Sequence, residues 1–127
     1  LIAATNPCGE QPLPPYGACL LGSINLVKYI LYNENKGWYF SWTQLDKDIP
    51  SIIRAMDNVV DRAIYPLPQQ EWEAKNKRRM GIGITGLANA AEALGFPYGS
   101  QDMLIFTKEV MEAIMVKAYE ASIELAK

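Results

Sequence analysis

Asn6-Pro7-Cys8-Gly9-Glu10-Gln11-Pro12-Leu13 is the stretch from which the rest of this chain is read. An amide, a thiol and a carboxylate stand at alternate positions 6, 8 and 10. In an extended segment alternate side chains point to one side, so this spacing lets Asn6, Cys8 and Glu10 converge on one small substrate. Pro7 fixes its own φ, and Gly9 permits a sharp bend or a close backbone approach to a ligand. A second cysteine, Cys19, follows the proline-rich turn Pro12-Leu13-Pro14-Pro15-Tyr16-Gly17 and opens an apolar run, Cys19-Leu20-Leu21-Gly22-Ser23-Ile24-Asn25-Leu26-Val27. The residues by themselves leave two readings open: a redox or nucleophilic thiol site, or a buried cysteine acting as a small hydrophobe beside an ordinary turn.

Outward from that stretch, composition narrows the classes. The 127 residues suffice for one modest domain with a real core. A net charge of −2 gives no electrostatic reason to expect nucleic acid or a membrane surface as partner, and no apolar run is long enough to span a bilayer. Two cysteines without other stapling devices point to a reducing, cytoplasmic setting, where a cysteine pair is catalytic more often than structural. Histidine is absent, which removes the commonest general base and the commonest metal ligand. Two thiols and a carboxylate make an incomplete zinc site, so no metal is expected on these residues. The chain starts without Met, in what reads as a strand already under way, and is expected to be a piece of a longer polypeptide.

Along the chain, Leu1 to Thr5 reads as a short buried strand or extended approach, residues 6–18 as a loop, and 19–32 as a strand region with Gly22 and Ser23 allowing a break. Residues 33–37 are turn-like and Trp38-Tyr39-Phe40 forms a brief strand. Leu45, Ile49, Ile52, Ile53, Met56, Val59, Val60 and Ala63 recur at steps of three and four, which predicts a helix over 43–64 capped by Thr43 or Ser41. Pro50 implies a kink, or a helix that begins near Asp48. Residues 69–77 read as a short polar helix, 80–85 as a strand, and 87–95 and 101–126 as helices, the last capped by Ser100. In that last helix Leu104, Met111, Ala118 and Leu125, with Thr107, Ile114 and Ala121 between them, form the expected core stripe, and Met103, Met111 and Met115 are read as packing residues. The order is that of an α/β fold.

Lys75, Lys77, Arg78 and Arg79 form a small basic cluster, read as a solvated face before a phosphate contact. Gly81, Gly83 and Gly86 spell the G-x-G-x-x-G string of a dinucleotide site. That fingerprint needs a hydrophobic strand before its first glycine; here charged residues precede it, and Asp102 is poorly placed as the ribose acid. A strand over 80–85, with glycines permitting close packing, is the better reading. A dinucleotide-binding module and a non-catalytic thiol-containing structural domain remain the competing functions.

The first stretch, Cys19, Gly22-Ser23-Ile24-Asn25-Leu26 and Arg78-Arg79-Met80-Gly81-Ile82-Gly83-Ile84-Thr85-Gly86-Leu87-Ala88 together resemble the catalytic (large) subunit of ribonucleotide reductase, over essentially the whole chain. The resemblance implies part of a ten-stranded α/β barrel, residues 1–127 forming a partial catalytic domain with the thiol loop through the centre. It implies a radical reduction of ribonucleotides to deoxyribonucleotides. Cys8 would be a thiyl radical that abstracts the 3′-hydrogen, Glu10 the base for the 3′-hydroxyl proton, and Asn6 the group holding the ribose hydroxyls. Gly9 would join these three in binding substrate, and Cys19 would be one member of a reducing thiol pair whose partner lies upstream. A Cys8–Cys19 disulfide would be off-pathway, since it consumes the radical-bearing sulfur. The wording of the first stretch and the compact loop between the cysteines resemble the adenosylcobalamin-dependent class; another class takes the radical from a separate metal-containing subunit. Expected partners are a ribonucleotide, the remaining segments of the catalytic subunit and a thioredoxin- or glutaredoxin-type reductant. The isolated segment, with sheet edges unpaired, is expected to be inactive and unstable or associated. One departure stands beside the resemblance: Leu20 occupies the place after the second cysteine where Asn is common in the family.

Overall fold

The computed structural model describes residues 2–127, so the Leu1 end of the expected first strand lies outside the described residues. The elements run β1 (Ala4–Thr5), β2 (Pro12–Leu13), β3 (Leu20–Asn25), a 3-10 turn (Leu26–Tyr29), β4 (Ile30–Asn33), β5 (Gly37–Phe40), α1 (Trp42–Arg62), α2 (Pro68–Lys77), β6 (Met80–Thr85), α3 (Leu87–Ala93) and α4 (Gln101–Leu125). The described strands form three two-stranded ladders, β1–β2, β3–β6 and β4–β5. The chain divides into two units: the part up to Gly22 with Ala55–Ile82, and Ser23–Arg54 with Gly83–Lys127.

In the first unit β1 and β2 are antiparallel, with Ala4 opposite Leu13 and Thr5 opposite Pro12. Proline has no N–H to give a ladder, and this short two-stranded ribbon tolerates it. β1 is exposed, not buried as expected, while Leu13 of β2 is buried. Met56 and Val60 of α1 and Ala74 of α2 supply the other buried apolar side chains of this unit. α2 begins with Pro68 in its first turn, where a missing N–H costs nothing. It ends at Arg78 in the left-handed region, φ 47°, with the Arg78 N–H bonded to the Ala74 carbonyl.

The second unit holds the larger core. β3 alternates along its length, with Ile24 inward and buried between exposed Ser23 and Asn25. The expected strand region 19–32 is interrupted: the Asn25 side chain accepts from Val27 N at 3.2 Å and starts a 3-10 turn that buries Leu26 and Tyr29. The strand resumes as β4, which pairs in antiparallel register with β5 from Ile30–Phe40 to Asn33–Gly37. Asn33 closes the connection by accepting from Asn35 N at 2.9 Å and Lys36 N at 3.1 Å. Phe40 then meets Tyr29, Trp42 and Phe106 at centroid separations of 5.9, 4.7 and 5.1 Å, the last two edge-on as ring quadrupoles favour.

α1 starts where Ser41 Oγ accepts from Gln44 N at 3.4 Å and runs straight through Pro50 in secondary structure. Of the expected alternatives the late start near Asp48 is corrected: the helix begins eight residues before the proline and continues beyond it. Leu45, Ile49, Ile53, Met56 and Val60 form its buried stripe, whereas Ile52 is half-buried and Val59 and Ala63 are exposed. In α4 the expected stripe is also corrected. Leu104 (58 % exposed) and Met111 (42 %) face outward, as does Met115 (52 %), and the buried line is Met103, Phe106, Val110, Ile114 and Ala121. Ser100 caps α4 by accepting from Met103 N at 3.2 Å.

Candidate active site

The thiol stretch folds as a hairpin loop. Asn6 N donates to Gln11 O at 3.3 Å, continuing the β1–β2 ladder by one rung, and Gly9 N donates to Asn6 O at 3.0 Å, closing a turn around Pro7 and Cys8. Proline suits the first central position of such a turn, and Gly9, at φ +78°, takes the left-handed geometry that lets the chain return. The Asn6 side chain is fixed at both ends: Oδ1 accepts from Gln11 N at 2.9 Å, and Nδ2 donates to Glu10 Oε1. Asn6 and Glu10 therefore meet across the neck of the loop, and Cys8, exposed and free, stands at its tip. The expected convergence of all three by strand alternation is corrected: a turn, not an extended segment, brings the amide and the carboxylate together, and the exposed thiol of Cys8 stands apart at its tip.

Cys19 is a free, half-buried thiol just before β3. Its neighbour Leu20 donates its N–H to Arg79 O at 3.0 Å, so the backbone ladder sets Cys19 beside Arg79. Leu20 thus has a main-chain partner although it lacks the amide side chain common at that place. Burial pushes the Cys19 thiol up from its ordinary value; the Arg79 guanidinium pulls it back, and the Glu10 carboxylate pushes it further up. A cleft of about 160 Å³ is lined by Cys19, Leu20, Val59, Tyr65 and Arg79, among others. Tyr65 is held there by donating its hydroxyl to Val60 O at 2.8 Å.

The basic cluster is largely paired with acids, with Lys75 and Lys77 on the solvated face that the sequence suggests and Arg78 and Arg79 partly buried. Arg78 donates from Nε to Asp57 Oδ1 and from Nη1 to Asp61 Oδ1, both at 2.7 Å, and from Nη2 to Asp57 O at 3.1 Å. Arg79 Nη1 lies 2.8 Å from Glu73 Oε1, an ion pair whose angles leave both buried atoms without a directed hydrogen bond. Lys75 pairs with Glu71 at 2.6 Å. Of the glycine string, Gly81 and Gly83 lie inside β6, and only Gly86 stands at the strand-to-helix junction. A Cβ at Gly81 would fall 2.7 Å from Leu21 Cδ2 and 3.9 Å from Cys19 Sγ, so that glycine serves close strand packing beside the thiol.

Arg79 and Tyr65, which line the cleft with Cys19, and Glu73, which pairs with Arg79, were not singled out by sequence reasoning in these roles. The run Arg78-Arg79-Met80-Gly81 carried a usable signal, because a strand at 80–85 paired with 20–25 sets Arg79 against Cys19. Among the described residues no three His, Cys, Asp or Glu side chains are grouped to hold a metal ion, and no helix is long and apolar enough to cross a membrane.

Comparison with known proteins bears on this arrangement as a whole. A family model described as "Ribonucleotide reductase, barrel domain" matches residues 1–127. The vitamin B12-dependent ribonucleoside-diphosphate reductase of Mycobacterium tuberculosis (strain CDC 1551 / Oshkosh) is 38 % identical over 126 residues, 99 % of this chain and 18 % of that protein. Its namesake in Thermoplasma acidophilum is 36 % identical over 126 residues, again 99 % of this chain and 16 % of the relative. The ribonucleoside-diphosphate reductase large subunit of variola virus is 33 % identical over 109 residues, 86 % of this chain and 14 % of its own length. The chain spans less than a fifth of the length of these relatives. With the model match running from its first residue to its last, the chain belongs to the ribonucleotide reductase barrel-domain family.

Proposed function

We propose that this chain carries the thiol loop of a ribonucleotide reductase, the segment at which a ribose 2′-hydroxyl is replaced by hydrogen. The observation that carries the reading is the Asn6–Glu10 contact at the neck of a tight turn with the free thiol of Cys8 at its tip. The reaction requires a hydrogen atom to be taken from the ribose 3′-carbon, which acid–base chemistry cannot do to an unactivated C–H bond. A sulfur radical at Cys8 has the S–H bond strength for it. Glu10 takes the 3′-hydroxyl proton, which eases loss of the 2′-hydroxyl as water. Asn6 has donors and acceptors for the sugar hydroxyls, and its bond to Gln11 N holds it in place to offer them. Gly9 keeps the turn tight enough for a sugar to approach the backbone. Cys19 then provides one of the two thiols that are oxidised to a disulfide as the 2′-carbon is reduced; its partner is a cysteine beyond this sequence.

The chain's segments form part of a ten-stranded α/β barrel, to which β1–β2, β3–β6 and β4–β5 contribute, with residues 1–127 as a partial catalytic domain. Two of the relatives, 38 % and 36 % identical, are named for vitamin B12, which favours adenosylcobalamin as the radical source over a separate metal-containing subunit. That cofactor supplies the radical when bound. With no histidine in the chain to offer cobalt an imidazole, the residues here fit the receiving thiol and not the corrinoid's ligand. The substrate is a ribonucleoside diphosphate, and a thioredoxin- or glutaredoxin-type dithiol restores the reduced state in the cytoplasm.

The test is deoxynucleotide formation by the complete polypeptide with Cys8→Ser or Glu10→Gln. C8S is expected to abolish product while the protein keeps its thermal midpoint, and E10Q to lower turnover by about 10²-fold or more, the usual worth of a positioned base. Product formation by C8S at the parent rate would refute the reading.

A further inference from the structure

Arg79 is placed beside Cys19 twice over. Its carbonyl accepts the Leu20 N–H at 3.0 Å, and its side chain lines the same cleft as the thiol. Against its guanidinium stands Glu73, 8 % exposed, with Oε1 2.8 Å from Nη1 and that oxygen without a directed hydrogen bond. A buried carboxylate left unsatisfied costs free energy unless a cation is held against it, so Glu73 keeps the guanidinium in this position. We propose that Arg79 is a positioning residue for Cys19, its guanidinium supplying the positive charge that stabilises the Cys19 thiolate. This rests on the reading of Cys19 as a reducing thiol.

The groups around the sulfur set the balance. Arg79, just before β6, and Tyr65, from the segment after α1, line the cleft with it; Glu73 of α2 pairs with Arg79, and the charge of Glu10 acts on the sulfur from the β1–β2 loop. Burial and Glu10 oppose a thiolate there, and Arg79 favours it. When an external dithiol reduces the Cys19 disulfide, its thiolate attacks the partner sulfur. The S–S bond breaks and the electron pair departs on Cys19 sulfur. The second external thiolate then displaces the partner thiolate from the mixed disulfide, leaving the external pair oxidised. A better stabilised thiolate leaves faster, so a cation at position 79 speeds this step in a pocket that otherwise slows it.

Alkylation by iodoacetamide, in which the thiolate displaces iodide, reads the same charge without turnover. Cys8 and Cys19 both precede Lys28, the first basic residue of this sequence, so they fall in one tryptic peptide; a Cys8→Ser background leaves Cys19 as the one thiol among residues 1–28. In the complete polypeptide, Arg79→Gln is expected to slow Cys19 alkylation near neutral pH by about three- to tenfold and to move its pH midpoint upward. Glu10→Gln is expected to move the midpoint downward, and Arg79→Lys to keep it close to the parent. An unchanged or lowered midpoint in folded R79Q overturns the proposal. Should R79Q fail to fold, Arg79→Met decides by the same reading: an upward midpoint sustains the proposal, and an unchanged or lowered one overturns it. An unshifted midpoint in C8S/R79Q, where the protein with Cys8 intact still makes deoxynucleotide, defeats this proposal alone. A shifted midpoint in a parent protein that makes none defeats the functional reading and leaves the electrostatic role standing.

Discussion

Gly86→Ala separates a structural role of the glycine string from a ligand-binding one. Gly86 has φ +71° and stands at the start of α3. An added Cβ would lie 3.0 Å from both Asn25 Oδ1 and Val27 Cγ2. A left-handed non-glycine residue costs about 1–2 kcal/mol, of which about 0.4–1 kcal/mol is offset by the stiffer unfolded chain. The crowded Asn25 oxygen is the one that accepts from Val27 N, and losing a cap of this kind costs typically about 1 kcal/mol. The sum is a destabilisation of about 2 kcal/mol. Urea unfolding of the complete polypeptide, followed by tryptophan fluorescence, measures it. Because both changes act on the Asn25 cap, the double variant Asn25→Ala/Gly86→Ala should lose less than the sum of the single losses. A loss in G86A below about 0.5 kcal/mol, the range of an indifferent surface change, would refute the reasoning. Unchanged stability with loss of nicotinamide-dinucleotide binding would revive the alternative function.

Arg78→Met should destabilise by about 1.5–3 kcal/mol through the partly buried, charge-assisted bonds to Asp57, measured as a shift in the urea midpoint at constant slope; Arg78→Gly should lose less, because it relieves the left-handed φ of 47°. Stability should fall on the alkaline side. Burial, Asp48 and the Tyr29–Asp48 hydrogen bond of 3.2 Å hold the Tyr29 hydroxyl above its ordinary value of 10.0, and burial does the same for Cys19 above 9.0. Both groups bind their protons more tightly folded than unfolded. Their contribution is therefore complete below those ordinary values and is lost as pH rises through the folded ones. A thermal midpoint that does not decline in this range, or the same decline in Tyr29→Phe/Cys19→Ser, would count against these placements.

Local chemistry made much of this fold readable. Ser41 and Ser100 cap the helices that follow them, and the apolar steps of α1 trace a buried stripe through Leu45, Ile49, Ile53, Met56 and Val60. Pro50 misled, because a single missing N–H does not end a helix whose apolar face is packed on both sides of it. α4 misled for a different reason. Leu104 and Met111 are as apolar as Met103 and Val110, so periodicity offers two adjacent stripes and only packing against the aromatic cluster of Phe40, Phe96 and Phe106 selects one. At the thiol stretch the residue types pointed to Asn6 and Glu10 as partners, but the strand geometry invoked for them does not hold. Pro7 has no N–H for a ladder and Gly9 takes a positive φ. The Arg78–Asp57 and Arg78–Asp61 pairs span 21 and 17 residues, and no local pattern announces contacts of that range.

Hydrogen abstraction by Cys8 is tested most directly by competing 3′-deuterated against unlabelled ribonucleotide in the complete polypeptide with its radical source and a dithiol reductant. The account predicts that the 2′-deoxynucleotide formed early is depleted in deuterium relative to the starting mixture. Product that carries the input isotope ratio unchanged would contradict it.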